Sequence, residues 1–413
     1  MTTVMPQSKS IWIINHYASH LENRHLELAK AFAENGYKVG VITSSYHHGR
    51  REYLYPEEYH FDKRAGNVYF IYLRSTPEYA SNGGKRILNM LSFCRLVEKH
   101  RGDICELIGK PGYIIGSSAH PFVWETSYRL ARKYKCKFIA EFRDIWPLSL
   151  IEIQGVSEKH PFVKLLAQVE KRAYKRSDAI VGTMPYAYKH VCDKLGFPRS
   201  KMHWMPNGIN TDKVDQIVQG ESTLSPELED YLTNNWCCVY VGSIVKSECL
   251  DYILDAWKLV SDKSIKFAMV GEGSVKDHIE SRIADEHLTN IKTFPAVKPE
   301  EVHKILSMAN CCVAALEFEG LGRFGLSKYK LNDYLYSGTP TIFACNSPNV
   351  VGEAGHFAIP TGDPALMAEK IEQIRKMQPE EIQELADKGR KLIKEVYDYK
   401  AVGKKYLEMM ENL

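Results

Sequence analysis

Short apolar, β-rich runs alternate with helix-length amphipathic stretches along most of the 413 residues, and this alternation restricts the fold more than any other feature. A strand that is apolar throughout is buried on both faces, so runs of this kind belong in parallel sheets covered by helices on both sides. The first unit shows the pattern best. Ser10–Asn15 reads as a strand, Leu21, His25, Leu28, Ala29 and Phe32 recur at helical spacing, Gly36 stops the helix, and Val39–Thr43 is the next strand. The same alternation predicts strands at Val68–Leu73, Tyr113–Ser117, Phe138–Phe142, Ala179–Val181 and Lys201–Met205.

A turn-forming cluster, Pro206-Asn207-Gly208, then interrupts the pattern, and a polar stretch runs from Asn210 to about Asn235. Beyond it the grammar restarts, with strands predicted at Trp236–Val241, Ile265–Val270, Asn290–Phe294, Cys311–Leu316 and Thr341–Cys345. Helices begin between them near Leu250, Ser274, Pro299 and Ser327, and two long helical segments, Pro379–Val396 and Tyr399–Asn412, close the chain. One hydrophobic core stops growing at roughly 250–300 residues, so two cores are expected. We therefore expect two Rossmann-like α/β domains, 1–206 and 207–390, with 391–413 as a helical tail packing back on the first.

Composition removes several function classes. Hydrophobic residues at 44% and charged residues at 25% are those of a packed globular protein. A formal charge of +3 is too small for the concentrated basic field of a nucleic-acid binder. The ten cysteines contain no CxxC pair at zinc-like spacing, and Cys237-Cys238 and Cys311-Cys312 sit in apolar runs, so they read as reduced core residues of a cytoplasmic protein. Residues 1–10 lack the build of a signal peptide, and no stretch approaches the roughly 20 apolar residues that span a bilayer. Any membrane contact is expected to be peripheral, at the cytoplasmic face.

Ligands of open parallel sheets sit beyond the carboxyl ends of the strands, and the informative motifs fall there. Gly242-Ser243-Ile244-Val245-Lys246 is a turn whose glycine admits a phosphate close to the backbone and whose lysine neutralises it. Gly271-Glu272-Gly273-Ser274 is a second glycine turn opening a helix; a plain strand-to-helix connection is its alternative reading. The richest segment runs from Phe324 to Pro340. Gly325, Leu326 and Ser327 lead into a helix whose N–H groups and dipole attract a diphosphate, Lys330 adds a charge, and Asp333 offers a carboxylate to ribose hydroxyls. An N-capped surface helix with an ordinary Lys–Asp pair is the alternative.

In the first half, Arg143-Asp144 follows the strand ending at Phe142, and His120 follows the strand ending at Ser117. Arg24 and His25 start the first helix, where a phosphate-bearing acceptor or simple solvation would suit them equally. Lys164, Lys171, Arg172, Lys175 and Arg176 decorate an amphipathic helix, a solvated face or a membrane-surface one.

Trp12-Ile13-Ile14-Asn15-His16-Tyr17-Ala18, Arg24-His25, Ser45-Tyr46-His47-His48, Ser117-Ser118-Ala119-His120-Pro121, Glu141-Phe142-Arg143-Asp144-Ile145-Trp146-Pro147, Pro206-Asn207-Gly208-Ile209 and the Ser327–Pro340 segment resemble, in order and spacing, the retaining family 4 glycosyltransferases of the GT-B superfamily. Within it they are most similar to bacterial surface-polysaccharide transferases of the aminosugar-transferring, WbuB-like kind. The resemblance implies two Rossmann-like α/β/α domains facing across a cleft. It implies a donor nucleotide diphosphate, UDP-linked, held by the second domain through Lys246, Lys330 and Asp333, with Gly242, Ser243, Gly271 and Gly273 beside it. The first domain then supplies an acceptor groove with His16, Arg24, His25 and Arg143, for a glycan or a polyprenyl-diphosphate-linked acceptor, and Asp144 and His120 act at the reacting groups. Many members carry two glutamates eight positions apart at the donor site; here the second is Asp333 and the first is Gly325. Backbone amides at Leu326 and Ser327 would replace it, with Glu317 or Glu319 as alternatives.

No Asp-x-Asp occurs, so neither a metal ion nor a cofactor is called for, and lysines and dipoles would stabilise the leaving diphosphate. Two other readings keep the architecture: a nucleotide-sugar 2-epimerase, and a catalytically silent partner that binds nucleotide sugar.

Overall fold

The computed structural model describes residues 9–20, 23–81, 83–317 and 320–413, which divide into two compact units, 9–206 with 399–413, and 207–398. The first holds strands β1 (Ser10–Ile14), β2 (Lys38–Ser44), β3 (Tyr46–His47), β4 (Glu52–Tyr53), β5 (Tyr59–Lys63), β6 (Val68–Leu73), β7 (Tyr113–Ser118), β8 (Lys137–Phe142), β9 (Ala179–Gly182) and β10 (Met202–Trp204). Its main sheet has the order β10-β9-β8-β7-β1-β2-β6-β5, parallel except for β5, while β3 and β4 form a separate ribbon. Leaving out β3 to β5, strand order reverses between β1 and β7, as in a doubly wound sheet. Leu21, which the helical spacing includes, lies outside the described residues.

The second unit holds β11 (Cys237–Val241), β12 (Lys266–Val270), β13 (Ile291–Phe294), β14 (Cys311–Ala315), β15 (Thr341–Ala344) and β16 (Phe357–Ile359). Their order, β13-β12-β11-β14-β15-β16, is the fully parallel Rossmann order, reversing between β11 and β14. The polar stretch before β11 is itself helical. Asn210 caps Thr211–Gln219 by accepting from the Lys213 N–H, and Ser225 caps Pro226–Thr233 by accepting from the Leu228 N–H. Val214, Leu228 and Leu232 bury the apolar stripes.

Near the end, the Pro379–Leu392 helix runs into a π-helical turn, Ile393–Tyr397, that stays with the second unit. The unit boundary therefore lies at 398 instead of 390. Ile209 N–H donates to the Tyr397 carbonyl and Thr211 Oγ1 to Asp398 at 2.5 Å, tying this turn to the unit's first residues. The last helix, Tyr399–Glu411, contributes Tyr399, Val402, Tyr406, Met409 and Met410 to the core of the first unit. Among the described residues no helix is long and apolar enough to cross a membrane.

Candidate functional site

In the second unit the reversal point is physically open. β11 and β14 pair only at Cys238 with Cys311 and Val239 with Cys312, so they part before their ends. The Tyr334 hydroxyl fills the gap, accepting from the Val241 N–H at 2.8 Å and donating to the Val241 carbonyl at 3.2 Å. Tyr334 belongs to the Tyr329–Ser337 helix, which stops on Gly338 in the left-handed conformation (φ 83°). Lys330 precedes it by one turn on the same face and is thereby delivered to the end of β11. Its Nζ donates to the Tyr240 hydroxyl at 3.0 Å and to Glu248 Oε2 at 2.6 Å. A Cβ on Gly242 would stand 2.7 Å from that Nζ, so the turn after β11 needs glycine for the lysine to approach.

Lys330, expected to add its charge to a diphosphate site, is paired with a carboxylate that is only 8% exposed and that Lys328 approaches at 3.6 Å. Burial pulls the Lys330 ammonium down, and Glu248 opposes that and keeps it charged. Tyr240 and Glu248 escaped the sequence reading because nothing in local spacing ties them to a lysine more than eighty residues away, and Tyr334 because its partner, the Val241 backbone, is equally remote.

The start of the same helix is clamped from the domain break. The Asn207 N–H donates to Ser327 Oγ at 3.0 Å and its Nδ2 to the Ser327 carbonyl at 2.9 Å. Asn332 Nδ2 donates to the Asn207 carbonyl at 3.0 Å, and the Tyr329 hydroxyl to Asn207 Oδ1 at 3.2 Å. Of the amides assigned to an anion cradle, that of Leu326 points to the Pro348 carbonyl at 3.4 Å. Gly325 precedes them with φ 81°.

Gly271 and Gly273 are required by packing, as the plain strand-to-helix reading has it. A Cβ on Gly271 would lie 1.9 Å from the Gly242 carbonyl oxygen, and one on Gly273 2.1 Å from that of Ile244. These glycines let the loop after β12 lie on the loop after β11, where Ile244 N–H bonds the Glu272 carbonyl at 2.8 Å. Ser243 is exposed and its carbonyl accepts from Tyr240 at 2.7 Å. Lys246 is exposed on the single-turn Lys246–Glu248 helix and is not among the groups bonded to Lys330 or Ser327. Asp333 lies 4.0 Å from His303 and keeps 23% of its side chain exposed. Glu317 uses its N–H on Cys249 Sγ, and Glu319 lies outside the described residues.

In the first unit the reversal point lies between β1 and β7. Arg24 and His25 head the Asn23–Glu34 helix but face inward. Arg24 bonds Glu141 Oε2 at 2.8 Å and the Pro206 carbonyl at 2.6 Å, and both partners of the ion pair are 1% exposed. Burial alone would raise the Glu141 carboxyl; the charge and hydrogen bond of Arg24 overcome it and hold it at about 2. His25 Nε2 meets Ser117 Oγ at 3.0 Å, and Ser117 donates to Glu141 Oε1 at 2.7 Å. Burial, then Arg143, pushes His25 down to about 3. Arg24 and His25 are thus internal ties, which corrects their assignment to a phosphate-bearing acceptor. His16 is buried as well, stacked on Phe93 and 3.4 Å from Ser75 Oγ. Asp144 is exposed after β8, with Arg143 half-buried beside it. His120 is buried, edge-on to His16 at 5.0 Å between centroids.

Both units therefore carry doubly wound sheets with polar groups gathered at the reversal point. Family models match both: Glycosyltransferase Family 4 over residues 21–213 and Glycosyl transferases group 1 over residues 237–376. The chain belongs to glycosyltransferase family 4. Among curated proteins this family 4 chain is similar to one described as a colanic acid biosynthesis glycosyl transferase, WcaI, of Escherichia coli, 20% identical over 292 residues, covering 69% of this chain and 70% of the relative. Its fold is that of GT-B structures. A sucrose-phosphate synthase from Thermosynechococcus elongatus superposes with TM-score 0.70 at 15% identity, covering 98% of both chains. The trehalose-6-phosphate protein of Escherichia coli bound with UDP-2-fluoro glucose gives 0.72 at 10% identity, over 98% of this chain and 99% of that one. HepE of Anabaena, in complex with UDP and glucose, gives 0.65 at 11% identity, over 98% of this chain and all of that one. Among the described residues, no three His, Cys, Asp or Glu side chains gather as a metal site would require.

Proposed function

We propose that this family 4 glycosyltransferase moves a hexose or N-acetylaminosugar from a UDP-sugar to a glycan or polyprenyl-diphosphate-linked acceptor in surface-polysaccharide assembly, at the cytoplasmic membrane face. The observation that carries the reading is Lys330 set on Gly242 where β11 and β14 part. UDP in the HepE structures and the colanic acid assignment of WcaI support the donor and the process.

In this reading the donor diphosphate displaces Glu248 from Lys330, with Lys246 closing from the loop and the helix start at Ser327 adding its dipole. Asp333 takes the ribose. The bond between the anomeric carbon and the diphosphate oxygen breaks as the acceptor hydroxyl attacks from the same face, which retains configuration; the leaving phosphate accepts the hydroxyl proton. Asp144 orients the acceptor. Lysine and dipole charge do the work often given to a divalent ion, so turnover is expected to survive chelators.

Lys330→Ala should lower kcat by about 10²–10³, and Lys246→Ala should lower it as well. Because Lys330→Ala strands Glu248, the double variant Lys330→Met with Glu248→Gln separates lost charge from lost packing. Near-normal transfer in that double variant and in Lys246→Ala would end the donor-site assignment. A new nucleotide sugar formed from donor alone would point to an epimerase instead.

A further inference from the structure

In the first unit a cavity of about 250 Å³ is bounded by the Gly84–Lys99, Phe122–Tyr134 and Pro161–Arg176 helices and the segment after Trp146. Its wall is mainly apolar, with Ile87, Met90, Phe122, Leu150, Phe162 and Leu166. Arg86, His120 and Trp146 interrupt it. Neither ring nitrogen of His120 has a hydrogen-bond partner, nor does Trp146 Nε1, although these atoms are buried and His120 is 1% exposed. Buried polar atoms are nearly always paired, because leaving one unmet costs stability. Burial, and then Arg86, keeps His120 neutral, so its ring retains one N–H to donate. Arg86 Nε donates to the Tyr17 hydroxyl at 3.0 Å; its guanidinium, the His120 N–H and the Trp146 indole N–H make the wall rich in donors, with Gln154 and His160 lining its exposed side, and a donor-rich apolar wall suits an oxyanion attached to hydrocarbon.

The surroundings fit the same chemistry. Leu88, Leu91, Ile153 and Leu165 are 43–61% exposed, and each stands beside lining residues on its own segment. Lys85, Lys159 and Lys164 are exposed on those same segments, as are Glu152 and Glu158 on the segment after Trp146. Exposed leucines with Lys85 and Lys164 on the two helices flanking the cavity match the interface of an anionic bilayer.

We propose that this cavity takes the first part of a single hydrocarbon chain of a lipid-phosphate acceptor, with phosphate oxygens bound by Arg86, His120 and Trp146. The word acceptor rests on the glycosyl-transfer reading; the binding does not. An apolar cavity of about 150 Å³ accommodates benzene, so one of about 250 Å³ takes roughly ten carbons.

The test is calorimetric titration of the full chain with alkyl phosphates of increasing length below their micelle concentrations. Affinity should tighten about fourfold per methylene up to roughly ten carbons and then level off. Arg86→Gln should weaken decyl phosphate about tenfold and leave decanol unchanged, and Val156→Trp, at the half-buried rim, should weaken both. Decyl phosphate that binds no better than inorganic phosphate, or that is indifferent to both variants, would overturn the proposal. Displacement of decyl phosphate by phosphatidylglycerol vesicles would overturn the single-chain assignment. UDP-sugar binding, titrated separately, keeps the two readings apart: decyl phosphate can bind while donor fails, and the reverse.

Discussion

Asp333 and His303 lie 4.0 Å apart, and burial drives both toward neutrality, the carboxyl up to about 7 and the imidazole down to about 4, the latter with help from Lys213. The side chain of Asp333 retains 23% exposure, so solvent screens part of its penalty and the direction of the shift is what carries weight. The two groups act oppositely on stability. Asp333 holds its proton in the folded chain after the unfolded chain has released it near 4, so its contribution falls as pH rises toward about 7. His303 resists protonation when folded, so its contribution rises from about pH 4 to about 6.5. Asp333→Asn removes the falling half. The variant should be more stable than the parent by about 1–2 kcal/mol at pH 8, and its melting temperature should climb from pH 4 to 6.5 more steeply than the parent's. Equal melting curves at pH 8 would show that the carboxyl is not strained. At pH 8, where the carboxyl is ionised, UDP-sugar affinity should also fall about tenfold in this variant, as expected when a charged acceptor of ribose hydroxyls is lost.

The two glycine loops act as one element. The loop after β12 lies on the loop after β11 so closely that Gly273→Ala would put a methyl carbon 2.1 Å from the Ile244 carbonyl oxygen, a backbone atom that cannot swing aside. We expect that substitution to cost about 2–3 kcal/mol, near the upper end for overpacking, and to weaken UDP-sugar binding by moving Gly242 away from Lys330. A denaturant midpoint within error of the parent would refute it. In the second unit β11 to β15 were legible because buried parallel strands are short, uninterrupted apolar runs, and their predicted ends differ from the observed ones by a residue at most; β16, three residues at the sheet edge, was not. Less legible were β5, whose Tyr59–Lys63 run mixes polar and apolar side chains at an exposed edge, and the helices at 211–219 and 226–233, which bury only a few apolar residues each. At the candidate site, the placing of Lys330 by the Tyr329–Ser337 helix was readable from one segment, whereas Asp333 on the same helix lies beside His303. Glu248 was not readable, since a carboxylate in a polar turn looks the same whether it faces water or a lysine brought from another element.

At the scale of the molecule, the chain leaves its first unit at residue 206 and returns to it at residue 399. The returning Tyr399–Glu411 helix is built into that unit. Gly403 lies so near Ala31 that an added Cβ would sit 2.5 Å from the alanine's own, and the rings of Phe32 and Tyr406 are 5.5 Å apart. Tyr113 donates to the Met410 carbonyl at 3.0 Å, and the Tyr406 hydroxyl reaches the buried Arg24–Glu141 pair at 3.3 Å. Tyr399, Val402, Tyr406, Leu407, Met409 and Met410 are all buried. At about 1.5–3 kcal/mol for each large side chain, taken as an upper estimate, their loss rivals the roughly 5–15 kcal/mol that holds a domain together. Deleting residues 399–413 should therefore unfold the first unit while the second, 207–398, keeps its own parallel sheet and still binds UDP-sugar. Limited proteolysis would show this as rapid cleavage confined to residues before 207. A truncated chain that resists protease throughout and transfers sugar at the parent rate would mean that the first unit's core closes without its last helix.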